Sequence, residues 1–101
     1  MRELPIQLDA RRIADFCRRW GLRELAVFGS AVRGTLQPQS DIDILIELPP
    51  GRYPEIDEWE TMRDELSALF GRRIDLVSKR GIENPFVRHE IMTNREVLYA
   101  A

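Results

Sequence analysis

The sequence is poor in the residues that several large classes of protein require. It has one cysteine and one histidine, so neither an internal disulfide nor a cysteine–histidine metal cluster can form. A net charge of −2 gives no bulk electrostatic attraction to nucleic acid or to anionic membranes. No apolar run approaches the roughly 20 residues of a membrane span, and the start MRELPIQLDARR lacks the apolar core of a signal peptide. These absences predict a cytoplasmic protein with no membrane association and no direct nucleic-acid binding.

Short strand-like and helix-like segments alternate along the chain. Asp9 and Gly21 delimit the first predicted helix, and Asn84 with Pro85 begins the last one, which ends near position 92. The other predicted helices cover about 31–36 and 55–70, and the predicted strands cover about 24–28, 41–47, 73–78 and 97–99. This alternation predicts an α/β fold in which helices cover one sheet, with residues 1–101 as a single domain. The strands are too short for their pairing directions to be read from the pattern.

Two of the predicted helices carry an apolar stripe. The first has apolar residues at helical spacing, namely Ile13, Phe16, Cys17 and Trp20. We therefore expect Cys17 to be a core residue and not a nucleophile, because nothing near it in the sequence would lower its pKa. The long helix has a predicted apolar face made of Ile56, Trp59, Met62, Leu66 and Leu69.

Asp41 and Asp43 open a run that otherwise reads as a buried strand. Because side chains alternate across a strand, both carboxylates leave from one face. The other face carries Ile42, Ile44 and Ile46, which anchor the strand in the core. Two carboxylates side by side repel each other strongly unless a positive charge lies between them. Mg²⁺, which takes oxygen ligands and usually binds substrate phosphates as well, would relieve that repulsion.

Asp75 and the Gly29-Ser30 turn extend this candidate site. Asp75 lies between two apolar residues in the third strand-like run, so a neighbouring strand could bring it beside the first pair. Three carboxylates can hold two metal ions, the arrangement used for in-line phosphoryl chemistry. Gly29-Ser30 follows a predicted strand and precedes a predicted helix, where main-chain N–H groups and the Ser30 hydroxyl can bind a phosphate. Arg33 could contact the phosphates or the acceptor, or it could be an ordinary surface arginine.

The combined pattern resembles the signature of the DNA polymerase β-like nucleotidyltransferase superfamily. In this chain that signature is Gly29-Ser30, ten intervening residues, and then Asp41-Ile42-Asp43. The stretches GSAVRGTLQPQSDIDILIEL, GRRIDLVS and NPFVRHEI…VLY are similar to the minimal nucleotidyltransferase branch, over about residues 22–99. The resemblance implies a nucleotidyltransferase fold, a small mixed β-sheet with helices packed against it.

The resemblance also implies a role for each matching residue. Gly29 and Ser30 would bind the triphosphate of a nucleotide, with ATP as co-substrate. Asp41 and Asp43 would ligate two Mg²⁺ ions. Asp75 would ligate the catalytic ion and assist deprotonation of the acceptor hydroxyl. The implied reaction is attack of a hydroxyl on the α-phosphate of a nucleoside triphosphate, with pyrophosphate leaving.

The resemblance further implies a partner protein. Minimal nucleotidyltransferases of this type are typically antitoxins of type VII pairs, in which AMP is transferred from ATP to a tyrosine of a HEPN-domain ribonuclease toxin. Two alternatives remain open: an antitoxin that neutralises its toxin only by binding, and a nucleotidyltransferase for a small hydroxylated molecule such as an aminoglycoside. The intact acids favour catalysis over binding alone, and the lack of an acceptor-binding domain counts against a small-molecule acceptor.

Overall fold

Four helices and four strands follow one another along residues 8–101, the part of the chain that the computed structural model describes. In chain order they are α1 (Ala10–Trp20), β1 (Glu24–Phe28), α2 (Ser30–Arg33), β2 (Ile42–Glu47), α3 (Ile56–Phe70), β3 (Ile74–Ser78), α4 (Pro85–Asn94) and β4 (Glu96–Ala100). A single 3₁₀ turn, Lys79–Gly81, follows β3 directly. The predicted alternation of helices and strands is confirmed.

The strands form one mixed sheet in the order β3-β2-β1-β4. β1 is antiparallel to both β2 and β4, whereas β2 and β3 are parallel. Parallel neighbours need a long crossover connection, and α3 provides it. The mixed sheet implied by the resemblance is therefore confirmed, and β4 lies at the edge that its short sequence signal predicted.

The hydrophobic core lies between the sheet and two helices. Helices α1 and α3 contribute Ile13, Phe16, Cys17, Met62 and Leu66, all at most 2% exposed. The sheet residues that belong to the same cluster include Leu25, Val27, Ile42, Ile44 and Ile46. The alternation along β2 is thus as predicted, because its three isoleucines point into the core and its acids point to the other face.

The predicted helix boundaries hold where a capping residue sets them. The main-chain N–H of Arg12 donates to the Asp9 carboxylate at 3.2 Å, and Gly21 ends α1 in the left-handed conformation. Asn84 accepts from the main chain at the start of α4, with Pro85 as the first helical residue. Two other bounds differ from prediction: α2 is only Ser30–Arg33, because Gly34 ends it in the left-handed conformation, and α4 continues to Asn94.

The prediction was wrong for one residue of the apolar face of α3. Ile56 is 80% exposed, whereas Met62 and Leu66 are fully buried. At about 100° per residue, Ile56 lies roughly 120° around the helix from Met62 and so falls outside the stripe that faces the sheet. A capping box formed by Glu55 and Glu58 fixes the start of the helix instead.

The described residues contain no membrane-spanning candidate. Across residues 8–101, none of the helices combines the length and the apolar character that crossing a bilayer requires.

Cys17 provides a test of this packing. Burial raises the pKa of its thiol to about 12, so at pH 8 only about one thiol in ten thousand would be the reactive thiolate. We expect a disulfide reagent such as DTNB to leave the native chain unlabelled over an hour and to label one thiol per chain in denaturant. Rapid labelling without denaturant would contradict the placement of α1 against the sheet.

Candidate active site

The turn between β1 and α2 is pressed against a carboxylate of β2. Phe28, the last residue of β1, pairs with Asp43 across the sheet, so the following residue, Gly29, lies next to the Asp43 side chain. Gly29 has φ +70° and ψ −140°, and a Cβ built on it would lie 2.2 Å from the Asp43 Oδ2 atom. Only glycine fits this position, for reasons of both backbone conformation and space. The close approach places the main chain of the turn beside the Asp43 carboxylate.

Ser30 and Arg33 begin and end the one-turn helix α2. Ser30 is half-buried at the start of α2. The first main-chain N–H groups of a helix have no carbonyl acceptor within that helix, because no turn precedes them. Arg33 is exposed, and its positive charge partly offsets burial and the neighbouring carboxylates, which raise the pKa of Asp43. The predicted phosphate-binding turn and its arginine therefore lie at the same end of the sheet as Asp43.

Asp43 and Asp75 are direct neighbours across the parallel pair. The β2–β3 register aligns Asp43 with Asp75. Burial, together with the charge of Asp75 and a hydrogen bond to it, raises the pKa of Asp43 to about 6, and Asp41 adds a smaller effect in the same direction. The structure thus brings together two carboxylates that the sequence separates by more than thirty residues.

Asp41 is placed differently from its partners. It lies one residue before β2, and its Oδ1 pairs with the Nε of Arg73 at 3.1 Å. The side chains of Arg73 and Asp41 are 79% and 46% exposed, so solvent screens this ion pair and it contributes little stability. Within residues 8–101 no three His, Cys, Asp or Glu side chains are arranged as a ready-made metal site. Asp41 would have to turn away from Arg73 to share a cation with Asp43 and Asp75.

A cavity of about 470 Å³ opens beside Asp43. Gly29, Val32 and Arg33 line one side of it, and the opposite wall is a face of α4 formed by Val87, Glu90, Ile91 and Asn94. The sequence reasoning missed this wall. The spacing i, i+3, i+4 and i+7 identifies one face of a helix, but only the three-dimensional structure shows that this face lines the cavity beside Asp43.

Helix α4 is held in place by polar contacts at both ends. At its C-terminal end, Arg95 donates to both oxygens of Glu24, at 2.7 and 3.3 Å, and the two side chains are 21% and 12% exposed. Near its start, Arg88 donates to the main-chain carbonyls of Lys79 and Ile82 at 3.0 and 3.5 Å. A fork-shaped pair between partly buried side chains is stronger than an exposed one, so it helps to fix the C-terminal end of α4.

The family of the chain follows from comparison with known proteins. The family model described as "Nucleotidyltransferase domain" matches residues 10–98, which is most of the chain. The chain belongs to this family. The predicted membership, fold and enzyme class are therefore confirmed, whereas the roles of the individual site residues remain predictions.

Several known proteins are similar to the chain over most of its length. The protein adenylyltransferase MntA of Thermococcus cleftensis is 37% identical over 81 residues, covering 80% of this chain and 77% of the relative. A solved structure assigned as a minimal nucleotidyltransferase is 34% identical with a TM-score of 0.70, covering 86% of this chain and 88% of that one. A mutant of the toxin–antitoxin complex MntA–HpeT contains a chain that is 26% identical with a TM-score of 0.70, covering 94% of this chain and 75% of that one.

The close contact between Gly29 and Asp43 predicts that adding one methyl group at position 29 lowers the stability of the fold more than usual. We expect Gly29→Ala to lower the free energy of unfolding by about 3 kcal/mol, because both the backbone and the Asp43 carboxylate must shift. The matched control is Gly34→Ala, where φ is +78° but no atom lies within 4 Å, and the expected loss is about 1 kcal/mol. Urea unfolding measures both losses.

The same substitution in an Asp43→Ala chain separates the steric clash with the Asp43 carboxylate from the strain in the backbone. In an Asp43→Ala chain the carboxylate is absent, so Gly29→Ala should cost less than in the unmodified chain, and the cost that remains measures the backbone strain at φ +70° and ψ −140°. Equal costs for Gly29→Ala in both backgrounds would show that Asp43 does not restrict this position.

The raised pKa of Asp43 predicts that its charge destabilises the metal-free chain. The folded-state pKa of about 6 lies above the unfolded value, so the folded chain binds the proton more tightly and stability falls as the pH rises from about 4 to 6. After discounting for solvent exposure, we expect Asp43→Asn to add about 1 kcal/mol at pH 7.5, or about 4–8 °C in Tm. The gain should shrink towards pH 4.

The matched control for this experiment is Asp64→Asn on the exposed side of α3, which should leave Tm nearly unchanged at both pH values. Thermal unfolding followed by circular dichroism, in EDTA, measures all three chains. A lower Tm for Asp43→Asn than for the unmodified chain at pH 7.5 would contradict the assigned repulsion between Asp43 and Asp75.

Proposed function

We propose that the chain is a cytoplasmic protein adenylyltransferase that transfers AMP from ATP to a tyrosine of a HEPN-type ribonuclease toxin, and thereby acts as its antitoxin. The observation that carries the proposal is the alignment of Asp43 with Asp75, beside a turn where only glycine fits. Two adjacent carboxylates next to a main-chain phosphate site suit phosphoryl chemistry and little else. We also propose that residues 1–101 form one catalytic domain.

The choice of a protein acceptor draws on the relatives. MntA of Thermococcus cleftensis is a protein adenylyltransferase, and it is 37% identical to this chain. The similar chain in the MntA–HpeT complex belongs to a toxin–antitoxin pair. By similarity to these two relatives, we infer that this chain uses ATP as the nucleotide and a toxin protein as the acceptor.

The donor set of the site fits Mg²⁺. Asp41, Asp43 and Asp75 supply only carboxylate oxygens, the ligands that Mg²⁺ prefers, and burial together with the charge of Asp75 raises the pKa of Asp43, an effect that a cation would offset. We propose that these three residues hold Mg²⁺, two ions in the full site. The ions would supply neutralisation of charge on the attacking and leaving oxygens.

The chain's own residues then have distinct tasks. The Gly29-Ser30 turn and Arg33 bind and orient the triphosphate, so that its α-phosphorus faces the acids. The acceptor oxygen forms a bond to that phosphorus, the bond to the bridging oxygen breaks, and pyrophosphate leaves. Asp75, the exposed member of the aligned pair, is accessible to an incoming hydroxyl and accepts its proton. Catalysis thus depends mainly on positioning and charge compensation.

Binding without catalysis is the second candidate. It is favoured by the Asp41–Arg73 pair, which leaves the carboxylates without a ready-made metal arrangement in residues 8–101. An antitoxin of that kind would neutralise its toxin by covering it, and the acids would be dispensable. A small hydroxylated acceptor is the third possibility, and the same assay distinguishes it.

The test uses α-labelled ATP, Mg²⁺ and the product of the gene beside this one. We expect label on the partner protein and no label when Asp41 and Asp43 are both replaced by Asn, because the variant has lost its ligands while keeping its shape. Asp75→Asn should bind ATP but transfer label at least about a hundredfold more slowly. The exposed substitution Asp64→Asn serves as the control and should be fully active.

The outcomes separate the three candidates. An unlabelled partner that is nevertheless neutralised by the Asn double variant would establish binding alone. Label on an aminoglycoside but not on the partner would favour the small-molecule acceptor.

A further inference from the structure

The cavity beside Asp43 has two chemically different sides. Gly29 and Arg33 belong to the side with N–H groups and a cation, whereas Glu90 and Asn94 belong to the α4 wall. Its volume, about 470 Å³, lies within the usual range for small-molecule sites, about 300–1,000 Å³. A nucleotide that places its phosphates at the first side must place its nucleoside along the second.

Charge fixes the direction in which a nucleotide can lie. Glu90 is exposed, and its side chain makes no ion pair or hydrogen bond within residues 8–101. A triphosphate next to it would add repulsion that nothing in the α4 wall offsets. A ribose hydroxyl or an amino group would instead donate to its carboxylate. Glu90 therefore faces the uncharged part of the nucleotide.

Asn94 has hydrogen-bonding capacity left over. Its Nδ2 donates to the Glu90 main-chain oxygen at 2.9 Å, which uses one of its two N–H groups. Asn94 is exposed, so its Oδ1 and second N–H, which have no protein partner within the described part of the chain, are open to a ligand from solvent. One acceptor and one donor side by side are what an adenine edge requires, because adenine presents an amino donor next to a ring-nitrogen acceptor.

We propose that Asn94 reads the nucleobase of the bound nucleotide and favours adenine, while Glu90 accepts a hydrogen bond from its ribose. Ile91, between them on the same face of α4, gives the base an apolar surface. The inference rests on the proposed function only in taking a nucleoside triphosphate as the ligand. The partly buried Arg95–Glu24 pair directly follows α4 and so helps to fix the main chain at Asn94.

The test is a change of base preference. A carboxylate can only accept, and guanine presents two adjacent donors, N1–H and the 2-amino group, where adenine presents a donor and an acceptor. Asn94→Asp should therefore weaken binding of a non-hydrolysable ATP analogue and strengthen that of the GTP analogue. We expect the ratio of the two Kd values, measured by calorimetry with Mg²⁺, to shift by about tenfold or more towards GTP.

Two further variants complete the design. Thr93→Ala changes the neighbouring residue, which is exposed and does not line the cavity, and should leave both Kd values within twofold. Glu90→Ala should weaken both analogues by a similar factor of about five to ten, because a ribose contact is independent of the base. Should Asn94→Asp fail to fold by circular dichroism, Asn94→Ala replaces it, with loss of ATP preference as the expected result.

The outcomes distinguish this inference from the proposed function. A shift below fivefold in a folded Asn94 variant, or equal affinity of the unmodified chain for both analogues, would overturn the inference while leaving AMP transfer intact. Failure of the unmodified chain to bind either analogue would overturn both. A switch of preference in a chain that labels no protein would support the inference and overturn only the protein acceptor.

Discussion

The alignment of Asp43 with Asp75 is the constraint on which the candidate site depends. Parallel pairing of β2 with β3 forces the two carboxylates together, and burial and mutual repulsion raise the pKa of Asp43 to about 6. The opposite face of the same strand offsets this cost, because Ile42 and Ile44 are fully buried against α1 and α3. One short strand therefore serves stability on one face and chemistry on the other. The long crossover through α3 is what makes a parallel neighbour possible.

The second constraint is the absence of a side chain at Gly29. The main chain of the β1–α2 turn approaches the Asp43 carboxylate so closely that even a methyl group would collide with it. This closeness brings the N–H groups of a helix start within the same small volume as the acids, although the two segments lie on different strands. Helix α2 has one turn and little stability of its own, so the sheet pairing of Phe28 holds it in place.

The sequence correctly predicted those features of the fold that depend only on residues close together along the chain. The caps at Asp9 and Asn84 act within three residues, and the alternation of β2 depends only on its own period of two, so both were correctly predicted. The Asp41–Arg73 pair depends on which strands are neighbours in the sheet, and the α4 wall depends on where α4 lies relative to the β1–α2 turn. No local sequence pattern encodes either arrangement. Ile56 failed for a related reason, because hydrophobicity alone does not say where the buried stripe of a helix ends.

The site combines a fixed wall with one movable acid. The C-terminal end of α4 is held by a partly buried two-point pair between Arg95 and Glu24, whereas Asp41 is held by an exposed pair with Arg73. Exposed pairs contribute about 0–1 kcal/mol, so releasing Asp41 costs little. A divalent cation between Asp43 and Asp75 would offset both the burial of the Asp43 charge and its repulsion by Asp75, the two main effects that raise the Asp43 pKa. Because the Asp41–Arg73 pair is exposed, it opposes the proposed sharing of a cation by the three carboxylates less than a buried pair would.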